Sequence, residues 1–335
     1  MNIKTIWIAL SICILIQGCK LNSNQTFKND NIPGTIKREI VELDKQVIKA
    51  IKNNNTDLAK NIFSEKLIET AGKSKLDSIF KFTNGFLKDK EFEYKDQFYI
   101  ENTTKNVSNT IFSGLAKSDF DYTVHYLALN KKMFISMLLP KDTKDALLVT
   151  LIYGLYGNDW KLNIFQVGQY SIDGKTAIDY YNIAKRNFEK KNLIDAANTL
   201  LVGQQCLRPA NQFLQYQKDK DFGDLQKQVM GEINLKYKFP IVVEKVATKP
   251  QIFNITPQSI DEGQFPMIQY FSQIDLKDTA SLRKENLEIQ KVIGDIFKGI
   301  DQNKKYLFYR ACDEIPDGTF KYRKHYGFVQ KIDNE

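Results

Sequence analysis

Residues 147–162 read LLVTLIYGLYGNDWKL, and the fold class turns on them. From Leu147 to Tyr156 nearly every position is apolar. Strand side chains point alternately to the two faces of a sheet, so this run predicts a central strand covered on both sides. Gly157, Asn158 and Asp159 then make a turn, and Trp160 opens the next strand over 159–170. Working back toward the amino terminus, residues 91–101, 107–117, 120–129 and 132–139 are rich in Phe, Tyr, Ile, Val and Thr, punctuated by turn residues. They predict sequential strands joined by short turns. Phe120, Tyr122, Val124 and Tyr126 alternate with Asp121, Thr123 and His125, which gives that strand one apolar face.

Ahead of the strands the apolar spacing is helical. Ile36, Ile40, Val41, Leu43, Val47, Ile48 and Ile51 predict a helix over 36–52, stopped by Asn53-Asn54-Asn55. A second is expected over 57–71, capped by Asn55 or Thr56 and ended by Gly72. A third, over 74–83, carries Leu76, Ile79, Phe80 and Phe82 and stops at Asn84-Gly85. Three helices followed by an antiparallel sheet bury their apolar faces only if the sheet curves around them. The expectation for 36–172 is an α+β domain with its helices packed on a curved antiparallel sheet.

That order of elements resembles the NTF2-like cone fold over 36–171. The local match is Gly157-Asn158-Asp159-Trp160-Lys161-Leu162, which is similar to a Gly-x-x-Trp-Lys-aliphatic step entering the last strand of many secreted NTF2-like domains. The resemblance implies an apolar cavity at the open end of the cone. Tyr122, Tyr126, Phe134 and Trp160 are the candidates for lining it; the alternative is that they pack the core.

Residues 173–236 predict a helical hairpin and a connecting helix. Tyr180, Ile183, Ala184, Ala196, Leu200 and Gly203, followed by Pro209, resemble the large and small positions of a single tetratricopeptide repeat. Asn187 stands where that repeat carries an aromatic ring, and the Pro comes one residue late. An array needs about three copies, and no second copy is seen, so a hairpin is expected rather than a peptide-binding solenoid. A further helix is expected near 221–235. Residues 237–335 predict a smaller α+β domain, with strands at 238–246, 250–256 and 265–275. A helix over 279–300, capped by Asp278, leads to two final strands at 304–313 and 319–330 around Asp317-Gly318.

The chain begins MNIKTIWIALSICILIQGCK. The apolar run Thr5–Ile16 would cover roughly 18 Å as a helix, short of the ~30 Å of a bilayer core. With Lys4 before it and Gly18 after it, the segment reads as a secretory signal over 1–18. Ile16-Gln17-Gly18-Cys19 resembles the lipobox of bacterial lipoproteins. The resemblance implies that Cys19 receives diacylglycerol, that cleavage follows before it, and that its new amino group is acylated with a fatty acid such as palmitate. Residues 19–35 are polar and are expected to form a lipidated flexible tether. Lys20, in place of the Asp that marks inner-membrane retention, implies an outer-membrane anchor facing the periplasm.

The 335 residues carry a formal charge of +8, with 42% hydrophobic and 26% charged residues, as in ordinary globular chains. The excess is spread, +4 over 20–171 and +3 over 172–335. A nucleic-acid binder concentrates its positive charge on one face, so no nucleic-acid partner is expected. His125 and His325 have no ligand at metal-binding spacing, so no metal or cofactor is expected. No nucleophile elbow, phosphate loop or dinucleotide fingerprint is present, and no catalytic residue is assigned. Cys206 and Cys312 are expected as two buried thiols, with a bridge as the alternative. The functional expectation is a lipid-anchored, non-catalytic envelope protein that binds a protein partner or a small apolar ligand. The alternative is a small-molecule enzyme using the cone's cavity.

Overall fold

The computed structural model describes residues 24–114, 118–315 and 324–332. The signal segment and Cys19 lie outside the described residues, as does the Asp317-Gly318 turn.

The chain is α+β, with the N-terminal helices packed in a curled antiparallel sheet. Helix α1 (Gly34–Lys52) presents Ile40, Asp44, Val47, Ala50 and Ile51 to the interior. Helix α2 (Glu65–Ala71) starts at Ser64, whose hydroxyl accepts the Leu67 N–H, and Gly72 ends it at a positive φ. It is shorter than the 57–71 helix read from the pattern. Phe63 is drawn out to bridge Leu162, and the Leu162 N–H and C=O bond to Ile62 and Ser64. Helix α3 (Lys73–Leu87) runs through Asn84-Gly85 instead of stopping there. The Asn84 amide donates to the Ile51 and Lys52 carbonyls at the end of α1, so it is a tertiary contact and not a stop.

The main sheet runs β1 (Gln25–Lys28), β2 (Phe92–Glu101), β5 (Lys132–Pro140), β6 (Ala146–Tyr156), β7 (Asp159–Ile172) and β8 (Lys175–Thr176). Two expectations are corrected here. The tether ends early, because residues 25–28 pair antiparallel with β2, from Gln25 opposite Glu101 to Lys28 opposite Phe98. Asn29 then locks to the sheet, its Oδ1 accepting the Gln97 N–H and its Nδ2 donating to Asp96. A polar segment can be held by backbone bonds, which a count of apolar side chains does not see. Nor is the sheet a continuous meander. Strands β3 (Ser108–Phe112) and β4 (Tyr122–Leu127) leave it and pair with β9 (Leu214–Tyr216) in a second, three-stranded sheet.

Strand β6 is central and covered on both sides, as its composition requires. Leu147, Val149, Leu151 and Tyr153 face α1–α3 in an inner core with Ile40, Phe80 and Leu162. Leu148 and Ile152 face an outer core built with Ile135, Met137, Tyr122, Val124 and Tyr126. Ala177, Ile178, Cys206, Ala210, Leu214 and Tyr216 complete that outer core, so a boundary at 172/173 cuts through it.

Helices α4 (Ala177–Glu189) and α5 (Leu193–Gln205) form the expected hairpin. A Cβ on Gly203 would stand 2.6 Å from the Tyr180 Cβ, which is why a glycine lets the two helices meet. The hairpin's other side joins α6 (Asp219–Lys236), α7 (Thr279–Ile296) and a five-stranded sheet in a third core. That sheet is ordered β10 (Ile241–Val242), β11 (Gln251–Ile260), β12 (Gly263–Phe271), β13 (Tyr306–Cys312) and β14 (His325–Lys331). Strands β12 and β13 are parallel, with α7 as the crossover between them, and the other pairs are antiparallel. The middle segment thus packs on the main and five-stranded sheets and lends β9 to the three-stranded one, instead of standing as a unit of its own.

Candidate functional site

The four aromatic candidates do not meet in a cavity. Tyr122 and Tyr126 belong to the outer core, while Phe134 and Trp160 belong to the inner one on the opposite face of the sheet. All four are buried. The Tyr122 hydroxyl donates to Asp96 and the Tyr126 hydroxyl to Asn102, so their polar ends are spent on structure. Trp160 packs edge-on against Tyr99, their ring centroids 6.4 Å apart. The lining expectation is corrected: with the helices seated inside the curled sheet, these rings fill its two faces.

His125 hydrogen-bonds the Gln215 side chain across β4 and β9. Cys206 and Cys312 are buried and not joined to each other; burial pushes the Cys206 thiol up to about 12. Among the described residues no group of three or more His, Cys, Asp and Glu side chains could hold a metal. None of their helices is long and apolar enough to cross a membrane.

Two constellations emerge that sequence reasoning passed over. The first is Asp44 on α1, which is only 1% exposed. Three hydroxyls from the sheet donate to it: Ser136 at 2.7 Å and Tyr94 at 3.0 Å to Oδ2, and Tyr153 at 2.7 Å to Oδ1. Burial pushes its carboxyl up to about 7, although the three hydrogen bonds pull the other way. Burial and the neighbouring carboxylate push the Tyr94 and Tyr153 hydroxyls well above the ordinary range, so both stay protonated donors. Tyr94 alone of the three donors is exposed. It stands in a surface hollow with Val41, Lys45, Lys49, Phe92 and Leu138. The signal was present in the sequence: Ile40, Asp44, Val47 and Ile51 share one helical face, and one of them is a carboxylate.

The second is a cleft of about 390 Å³ between the α4–α5 hairpin and the β11–β12 hairpin. Ligand pockets commonly measure about 300–1,000 Å³. Ile183, Val202, Pro257, Phe265 and Pro266 supply apolar walls. The charges around it are largely matched. Lys304 Nζ meets Asp195 Oδ2 at 2.7 Å and also donates to the Gly299 and Gln302 carbonyls. Burial raises the Asp195 carboxyl, and Lys304 opposes that rise. Lys175 pairs with Asp173 at 3.3 Å. Asn198 is different: it lines the cleft from α5, and both its Oδ1 and its Nδ2 are buried without a hydrogen-bond partner. Ile194, Asn198 and Val202 follow at four-residue spacing, so the amide sits in an otherwise apolar stripe of α5.

Compared with known proteins, the chain matches no family model, and no curated protein is significantly similar to it.

Proposed function

We propose that this chain is a lipid-anchored protein of the bacterial cell envelope that binds a small ligand in the cleft between its helical hairpin and its C-terminal sheet. The lipobox at Ile16–Cys19 supports the anchor, with Cys19 as the lipid-bearing residue on the periplasmic face of the outer membrane. The cleft carries the binding role. It is the place where two packed units leave a concave, partly apolar space with polar groups converging on it.

Native mass spectrometry of the detergent-solubilised chain, purified from envelopes, tests this reading. Thr199 is half-buried and lines the cleft. The wild-type chain is expected to carry a small molecule that Thr199→Trp loses. Equal occupancy of the two proteins, or none in either, counts against the cleft.

One observation favours a second reading, an enzyme working in the N-terminal domain. Asp44 has a carboxyl that titrates near neutrality, as a general acid or base requires. It accepts a hydrogen bond from Tyr94, a residue that reaches the surface. Its full set of hydroxyl donors and the filled inner core weigh toward a structural role.

A further inference from the structure

We propose that the Asn198 carboxamide recognises a neutral ligand group whose hydrogen-bond donor and acceptor lie side by side in one plane, as in a primary carboxamide, a lactam or the amide edge of a heterocyclic base. This rests on the reading of the cleft as a ligand site and adds the chemistry of the ligand.

The argument starts from cost. A buried polar group left without a partner costs about 1–3 kcal/mol, and a carboxamide has both donors and an acceptor to satisfy. Asn198 is 8% exposed, and neither of its polar atoms is partnered. Its neighbours do not relieve it. Lys304 is engaged by Asp195 and two carbonyls, Lys175 is engaged by Asp173, and the Tyr180 hydroxyl donates to the Ile172 carbonyl. Lys190 also lines the cleft but is exposed to water, so the buried unsatisfied group there is neutral and double-sided. A carboxylate would meet its N–H groups but repel its oxygen, and an ammonium would do the reverse. Both atoms are closed to solvent as the side chain stands; once the carboxamide turns toward the cleft, a group that offers an acceptor to Nδ2 and a donor to Oδ1 at once meets both needs with two parallel hydrogen bonds. The apolar walls supplied by Ile183, Val202 and Phe265 suit a planar, uncharged body attached to such an edge. A trans peptide amide points its N–H and C=O in opposite directions and so fits a single carboxamide poorly.

The test uses the full detergent-solubilised chain and four probes: uracil, benzamide, 1,3-dimethyluracil and N,N-dimethylbenzamide. Methylation keeps each ring and removes the side-by-side donor. Ligand-observed NMR titration should show the parent compounds binding at least about tenfold more tightly than their methylated partners, the loss expected when one buried amide pair goes unmade. Asn198→Leu, which keeps the branched shape, should abolish that preference without lowering the melting temperature, because it removes an unpaired group. Equal binding of parent and methylated probes overturns the proposal. So does an Asn198→Leu variant that keeps the preference, or one that melts several degrees lower. The broader reading fails separately. If Thr199→Trp binds every probe as the wild type does, the cleft is not the site. If a co-purified ligand depends on Thr199 while the probe preference ignores Asn198, the cleft stands and the amide chemistry is wrong.

Discussion

The Tyr153 hydroxyl donates to Asp44 Oδ1 over 2.7 Å, joining the middle of strand β6 to the buried face of helix α1. The two residues are 109 positions apart, and the bond is one of three that fix the helix inside the curled sheet. Its acceptor is a carboxyl that titrates near 7, which makes the stability of the N-terminal domain depend on pH.

The sign follows from linkage. A folded-state pKa raised above the unfolded value gives stability that is full at low pH and is lost as pH rises to the folded pKa. Asp44 moves from 3.8 to about 7. Its contribution should therefore fall between about pH 4 and pH 7 and stay level above that. One pH unit corresponds to about 1.4 kcal/mol, so the loss is at most about 4 kcal/mol. In urea titrations Asp44→Asn should gain on the wild type by that order across this window. A difference between the two proteins that does not change with pH would refute the neutral-range carboxyl.

Trp160 is 5% exposed and packs against Tyr99 in the inner core. Trp160→Ala should cost roughly 3–5 kcal/mol and lower the melting temperature by many degrees. A shift of a degree or less in a thermal melt would contradict the core placement.

A Cβ on Gly203 would press on the Tyr180 Cβ, which is held by backbone and cannot swing aside. Gly203→Ala should cost about 1–3 kcal/mol through overpacking. Gly223, with no atom near its Cβ position, is the control: Gly223→Ala should be neutral or stabilising. Chemical denaturation of the two variants decides the matter, and equal stabilities would mean the hairpin is looser than described.

A fragment of residues 36–172 should not melt cooperatively. It lacks strand β1 and the part of the outer core that Ala177, Ile178, Leu214 and Tyr216 provide. The apolar faces of Leu148 and Ile152 would stand open, and the fragment should bind a hydrophobic dye. A sharp transition by circular dichroism, with no dye binding, would show that the middle segment is dispensable.

Cys19→Ala should abolish incorporation of radioactive palmitate and leave the precursor uncut at Gly18-Cys19. Label retained on the variant would remove the lipoprotein assignment.

What the sequence determined by itself is local. The alternating and helical periods around Leu147–Tyr156 and Ile36–Ile51 sufficed for the α+β class and for a strand buried on both faces, because such patterns are written within one element. The same pattern marked Trp160 as a strand-start aromatic but left it between cavity and core, and its packing against Tyr99 decided for the core. Tertiary structure alone decided which strands share a sheet. Strand β4 is bounded by Leu214–Tyr216 instead of by β2 or β5, and no residue near Tyr122 signals a partner 94 positions away. It also decided that Gln25–Lys28 is a strand, since backbone bonds to β2 leave no mark on composition. The two polar groups at the heart of the functional reading were visible only as misfits in apolar stripes. Whether such a misfit is satisfied depends on what long-range packing brings beside it: three hydroxyls reach Asp44, and none reaches Asn198.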